Sequence, residues 1–385
     1  MWRCFVFFGL IQLASGQMLL APESRQAREI AQYFEKGADA IQKDAGKLNC
    51  VVRPYPARLS YNFQYWTGYD IIVPVNQFAK AGRDRPMAIA LQVTPQDTSK
   101  IKSFLYARAG FPRRIPPQFW ATKGVEMNLG GGFIVGPGKY TVALLVADSI
   151  GRSCRKTWNV EAKSLGLPTQ IASGEVGESG MDAWKGIVGG SGKVSILVHA
   201  APMMRRRIMT KLSAWDRNIL LNSLRSLLDV GGFAQARVTV FDFDGRRVLF
   251  ESENFGGAEY ERLMGVLMEL SFGTVSVKTL QGPDEGAFLE EVMRKEVAQA
   301  SASDAVVFMG PPWRWGQKLS PLLREQRSQL PSVYYVALTP WVANTTDLIE
   351  KFVKAGPKGR VLTVFQPQDL AKAVREIRDK KNVIQ

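Results

Sequence analysis

Histidine is nearly absent: His199 is the only one in a chain of 385 residues. A zinc site of the His-x-x-x-His kind is therefore excluded, and any catalytic scheme that uses imidazole must run through this one residue. Cysteine is also sparse, at three residues, with no cluster at metal-ligand spacing. No Gly-x-Ser-x-Gly elbow frames a nucleophile. Long apolar runs are missing too. The longest candidate, Cys4–Leu13, falls well short of the ~20 residues a membrane span needs. Acidic residues are outnumbered, with 35 Asp and Glu against 50 Lys and Arg, a formal net charge of +15.

That short apolar run has its own reading. Arg3 precedes it, and the small residues Ala14 and Gly16 follow it. This is the pattern of a secretory signal peptide cut before Gln17. An uncleaved N-terminal anchor is the alternative. With residues 1–16 removed, the expectation is an exported protein with no transmembrane segment, in the periplasm or outside the cell. Two cysteines remain, Cys50 and Cys154. An even pair in an oxidising compartment points to a disulfide, with two buried free thiols as the other reading. Export also argues against nucleic acid as the reason for the basic charge. Anionic glycans, lipid headgroups or an acidic protein fit better, although solubility alone accounts for a net charge.

Composition favours a packed protein: 46% hydrophobic and 22% charged, with 35 Gly and 20 Pro to make turns. The length suits about two domains at roughly 100–200 residues each. Residues 17–47 should hold a helix over Glu23–Ala45, because Ile30, Phe34 and Ile41 share a face with Ala31 and Ala38. Residues 48–162 read as short strands separated by turns, as in "YDIIVPVNQF" and "PMAIALQV". Residues 163–192, with "ASGEVGESG" and "GGSGK", read as a Gly/Ser-rich linker with one helical turn around Trp184. "GGSGK" is not a phosphate loop: Val194 replaces the hydroxyl residue, and a strand follows instead of a helix.

From Lys193 to the end, residues 193–385, strand and helix signals alternate. "KVSILVH" is a strand. Ser213 opens a helix with Asp216 three residues on, a capping-box spacing, and Gly231-Gly232 close it. "ARVTVFDF" and "RRVLFES" flank Asp244-Gly245, a hairpin signal. "DAVVFMG", "SVYYVALT" and "GRVLTVF" are further strands, each followed by a helical segment. Such alternation implies a mostly parallel sheet with one antiparallel edge strand.

Two resemblances follow. "GPGKYTVALLVADSIGRSCRKTWNVEAK" resembles the last two strands of an immunoglobulin-like domain. That likeness implies Cys50 in the first strand beside Cys154 in the last, and so supports the disulfide. The order of elements from Lys193 to Lys380 resembles a von Willebrand factor A-type domain. The whole is similar to a group of secreted bacterial proteins that carry such a domain behind a β-rich region. The fold class implied is multidomain: an N-terminal immunoglobulin-like β-sandwich plus a C-terminal α/β doubly wound domain, vWA-like and of Rossmann type.

The second resemblance also implies where a divalent cation would sit. Typical members end the first strand in Asp-x-Ser-x-Ser. They add a loop Thr and an Asp after the fourth strand. Here those positions hold His199, Ala201, Met203, Thr274, and Met309 with Gly310. A hard cation needs several oxygen ligands, and this set offers one hydroxyl. No metal and no cofactor is expected.

Around the same strand ends stand Arg205, Arg206 and Arg207, then Trp313, Arg314 and Trp315, then Trp341. Trp and Arg are enriched at binding hot spots. Together with His199 they are expected to form a metal-free aromatic and basic recognition surface for a protein partner or an anionic glycan. The plainer reading is that the tryptophans pack under loops and the arginines are merely solvated. Catalysis is not expected. Glu290 and Glu291 are adjacent and point apart on a helix, Asp242 would meet His199 only by accident of folding, and Asn344-Thr345-Thr346 reads as a helix cap. An extracytoplasmic hydrolase and a purely structural envelope component are the alternatives to an interaction protein.

Overall fold

The computed structural model describes residues 17–35, 47–78, 87–97, 102–109, 122, 124–164, 166, 169, 171–178, 184–187, 189–204, 211–272, 284–299, 303–313, 318–339 and 347–382. The signal sequence expected at 1–16 lies outside them. The chain divides into two compact units, one of residues 1–60 and 64–181, the other of residues 61–63 and 182–385.

Among the described residues the first unit has nine strands. These are β1 (Met18–Leu20), β2 (Val51–Leu59), β3 (Tyr65–Pro74), β4 (Met87–Pro95), β5 (Ser103–Ala109), β6 (Glu126–Val135), β7 (Gly138–Ala147), β8 (Ser153–Ala162) and β9 (Val176–Glu178). One sheet runs β1-β5-β4-β7-β8 and the other β2-β3-β6-β9, with antiparallel pairing throughout. Period-two alternation makes each strand one-sided. Tyr69, Ile71 and Val73 of β3 turn inward to meet Ile89, Leu91 and Val93 of β4 and Val142, Leu144 and Val146 of β7 in one shared core. Each such side chain contributes roughly 1.5–3 kcal/mol by leaving water.

Cys50, just before β2, and Cys154, on β8, form a disulfide with Cα atoms 6.1 Å apart. It ties the edge strand of one sheet to the edge strand of the other. The Leu48 amide donates to the Ser153 carbonyl beside it, at 3.0 Å. Helix α1 (Arg25–Glu35) packs Ala27 and Ile30 against Ala90 and Phe104 on the opposite face of the five-stranded sheet. The helix expected over Glu23–Ala45 is thus observed for its first half, and 36–46 lie outside the described residues. Within the segment expected to be a linker, β9 pairs with β6. Of the helical turn expected around Trp184, residues 184–187 are described and are irregular, and 181–183 lie outside the described residues.

The second unit has one six-stranded sheet. Its strands are β10 (Lys193–His199), β11 (Gln235–Asp242), β12 (Arg247–Ser252), β13 (Ala305–Gly310), β14 (Ser332–Leu338) and β15 (Gly359–Val364). The order is β12-β11-β10-β13-β14-β15, and the pairing is parallel except for β12 on β11. β10, β13 and β14 are buried almost end to end, as their unbroken apolar runs require. The helices are α2 (Ala214–Val230), α3 (Gly257–Glu269), α4 (Glu285–Ala298), α5 (Pro321–Ser328), α6 (Leu348–Lys354) and α7 (Pro367–Asn382). Ser213 and Asp216 close a reciprocal capping box on α2, and Gly231 ends it. Asp284, Ser320 and Asp347 cap α4, α5 and α6 through their side chains.

This architecture corrects the fold class expected from the sequence. Among the described residues the chain is mostly β, with more strand than helix and three separate sheets; nine of its fifteen strands precede Lys193. A doubly wound vWA layout is not established by it. The cause is physical. Alternating periodicities report element type locally, whereas sheet membership depends on long-range pairing that no local pattern encodes.

Candidate functional site

The carboxyl end of β10 is the place to look, since ligands of open parallel sheets gather outside strand ends. His199 closes that strand, paired in register with Phe241. It is 0% exposed. Its ring stacks on Phe241 at 5.6 Å between centroids and meets Phe243 edge-on at 5.0 Å and Trp313 at 5.2 Å. Nδ1 lies 2.9 Å from the Pro311 carbonyl oxygen. A carbonyl can only accept, so Nδ1 carries the proton and donates. Gly310 makes this approach possible. Its φ is +143°, and a Cβ there would stand 2.4 Å from the His199 carbonyl oxygen.

A buried carboxylate holds the far side of the same cluster. Asp347 accepts from the Trp313 amide at 3.0 Å, the Tyr335 hydroxyl at 2.9 Å and the Glu350 amide at 2.6 Å. Burial pushes its carboxyl above the usual range, and the amide and hydroxyl donors pull the other way. Its oxygens are committed to capping α6 and to fixing Trp313. Burial likewise raises the Tyr335 phenol well above its ordinary value, and Asp347 adds to the shift.

The donor set does not fit a divalent cation. His199 is walled by aromatic rings, Ala201 and Met309 are buried and apolar, and Gly310 has no side chain. At the third position the Met203 amide donates to Asp216 Oδ1 at 3.0 Å. Asp216, in the first turn of α2, also accepts from Ser213 in the capping box. Thr274 lies outside the described residues. Among the described residues, no group of three or more His, Cys, Asp or Glu side chains is arranged to hold a metal ion.

The structure brings together two of the residues expected to form a binding surface, and it puts them inside. Trp313 is 6% exposed and His199 fully buried, so neither offers its side chain to a partner, and that expectation is corrected. The reason is apolar packing: both rings complete a cluster with Phe241, Phe243 and Phe288. Arg205, Arg206, Arg207, Arg314, Trp315 and Trp341 lie outside the described residues, as do Asn344, Thr345 and Thr346. Asp242 serves the hairpin. It accepts from the amides of Asp244 at 2.8 Å and Gly245 at 3.1 Å, with Arg247 at 3.7 Å. Burial pushes its carboxyl up to about 6. Glu290 accepts from the Ser320 hydroxyl, while Glu291 faces elsewhere into a cavity.

That cavity escaped the sequence reading. About 410 Å³ in volume, it opens between the β11–β12 hairpin and α4, beside Arg237, Arg247, Glu251, Glu291, Lys295 and Glu296. Glu296 is buried and pairs with Arg237 at 2.5 Å, and Arg237 also donates to the Ser195 hydroxyl at 3.1 Å. Burial raises the Glu296 carboxyl and Arg237 opposes it. Lys295 meets Glu251 at 3.3 Å. The Arg237–Glu296 and Lys295–Glu251 pairs make this a polar hollow. Its one sequence signal is Arg237, a charge set among the apolar residues Ala236, Val238 and Val240 of β11.

No family model and no curated protein matches the chain. Among solved structures it is similar to proximal thread matrix protein 1 from the mussel byssus, at 11% identity over 51% of this chain and 47% of that one, with a TM-score of 0.32. It spans about half the length of that mussel protein. BatB from Bacteroides thetaiotaomicron is 16% identical over 50% of this chain and 100% of its own, TM-score 0.32. An aerotolerance-related membrane protein from Bacteroides fragilis is 16% identical over 49% of this chain and 100% of its own, TM-score 0.31. At these scores the likenesses carry no argument about this chain.

Proposed function

We propose that the chain is an extracytoplasmic, non-enzymatic binding protein that takes a protein partner or an anionic glycan without a metal ion. The observation that carries this reading is the sealed end of β10. The one imidazole is packed among Phe241, Phe243 and Trp313 and is fully buried, so it meets no substrate. The raised carboxylates, Asp242 and Asp347, are occupied by backbone amides of a turn and a helix start. The signal-peptide pattern read in residues 1–16 and the Cys50–Cys154 disulfide support a place outside the cytoplasm. Among the described residues no helix is long and apolar enough to cross a membrane. With Trp313 turned inward, the surface reading rests on Arg205, Arg206, Arg207, Arg314, Trp315 and Trp341.

The test is retention on immobilised heparin, used as a polyanion. Wild-type protein should elute at clearly higher salt than a variant carrying Arg205→Glu, Arg206→Glu and Arg207→Glu. A Trp315→Ala, Trp341→Ala variant should fall between them. Identical elution of all three would overturn the assignment of these segments as the binding surface.

A further inference from the structure

The outward face of the β2-β3-β6-β9 sheet carries an arrangement that packing alone does not require. β3 turns Tyr65, Thr67, Tyr69, Ile71 and Val73 inward, so Trp66, Gly68 and Asp70 share the opposite face. In register, Arg58 stands beside Trp66, Tyr55 beside Gly68, and Arg53 beside Asp70. On the other side Gly132 faces Gly68 and Gly130 faces Asp70. Three glycines inside paired strands weaken a sheet and commonly mark a close approach by something else.

Here the first thing to approach is the Trp66 indole. A Cβ on Gly132 would lie 2.6 Å from its Cζ2 and Nε1, and one on Gly68 would lie 2.9 Å from its Cη2. The ring therefore rests on bare backbone across β3 and β6. Yet Trp66 remains 36% exposed. Tyr55 extends the platform, its ring 6.1 Å from Trp66 and inclined by 31°. The Tyr55 hydroxyl donates to Asp70 Oδ2, which fixes the ring and leaves an acceptor-rich polar edge. Arg53 and Arg58 are exposed at the two ends of the β2 row.

We propose that this face binds an acidic glycan, with a sugar ring stacked on Trp66 and its carboxylate or sulfate groups met by Arg53 and Arg58. The shape selects the class. The Trp66 indole lies over the Gly68 and Gly132 backbone with the Tyr55 ring beside it, an aromatic shelf, whereas peptide anchors fill desolvated pockets. A pyranose presents an apolar C–H face to an indole and hydroxyls around its rim, and Asp70 and Tyr55 sit where those hydroxyls would reach. Stacking on a rigid aromatic ring costs little conformational entropy. The arginines, within a chain of net charge +15, favour an anionic ligand over a neutral one. This site lies in the first unit and does not depend on the arginine and tryptophan segments of the second.

The experiment is calorimetric titration of the full chain with a hyaluronan hexasaccharide in 0.05 and 0.5 M NaCl, beside cellohexaose and hexaglutamate. Salt at 0.5 M screens charge-only binding and spares stacking. The expected result is binding that persists at 0.5 M NaCl and weakens at least tenfold in Trp66→Ala, with Trp66→Phe recovering part of it. Gly132→Ala, which pushes the indole off its seat without removing it, should weaken binding to a similar degree. Arg53→Gln with Arg58→Gln, both exposed and harmless to folding, should weaken it at least fivefold at 0.05 M NaCl. Reversal of Arg205, Arg206 and Arg207 should leave binding at 0.5 M NaCl unchanged. Wild-type affinity in the Trp66→Ala and Gly132→Ala variants, loss of binding caused only by the Arg205–Arg207 reversal, or binding of cellohexaose or hexaglutamate as tight as that of the hyaluronan hexasaccharide would overturn the proposal.

Discussion

Replacing Cys50 and Cys154 with alanine should cost the first unit far more than two buried methyl-sized groups. The bridge closes a loop of 104 residues in sequence separation. Cross-linking positions about 100 residues apart removes chain entropy from the unfolded state worth about 4.7 kcal/mol. The folded side shows why this gain is not offset by distortion of the pairing. The Leu48 amide already reaches Ser153 at 3.0 Å, and Lys47 already bridges Ser153, so the two edges meet without help from the bond. For a unit of this size each kcal/mol moves the melting temperature by about 2–4 °C, so the expected loss is roughly 10–20 °C. The assay is a calorimetric melt of oxidised wild type, the double alanine variant and wild type held in excess reductant. The first unit should melt early in both perturbed samples, and the second unit should keep its own transition. A shift under about 3 °C would refute the reasoning, because the loop would then be held closed by something other than the bond.

Gly310→Ala should destabilise the second unit by about 2–3 kcal/mol in urea unfolding, since φ is +143° and the new Cβ would strike the His199 carbonyl. Asp242 has its carboxyl raised by burial from 3.8 to about 6. The folded state thus holds that proton more tightly, and its contribution is full below about pH 4 and lost as pH rises through about 6. Asp242→Asn should flatten that loss, worth roughly 3 kcal/mol at most, in urea midpoints measured from pH 4 to 7.5. Trp184→Phe removes the indole donor to Asp229, at 2.6 Å, and should cost about 1–2 kcal/mol by the same assay.

Local chemistry was well legible in the sequence. "KVSILVH" is β10, the Asp244-Gly245 turn joins β11 to β12, and the Ser213–Asp216 capping box starts α2. These features depend on neighbours within a few residues. Orientation and long-range pairing were not legible. Trp313 sits between Pro312 and Arg314, surroundings that read as an exposed loop, yet Asp347 and the rings of His199 and Phe243 from other elements draw it inward. Trp184 was lost among glycines and serines for the same reason. Its partners, Asp229, Phe255 and Tyr260, are all more than forty residues away. The apolar-versus-polar alternation of β3 was visible, but the exposed Trp66 became meaningful only when Gly132 of another strand was placed beneath it. The doubly wound class failed at this same step from periodicity to pairing.

Because the chain has one histidine, its imidazole signals can be observed without ambiguity in ¹⁵N-labelled protein. The account predicts a protonated Nδ1 engaged with the Pro311 carbonyl and no selective broadening of these signals when Mn²⁺ is added to millimolar concentration. Site-specific paramagnetic loss at His199, reversed by excess Mg²⁺, would contradict it.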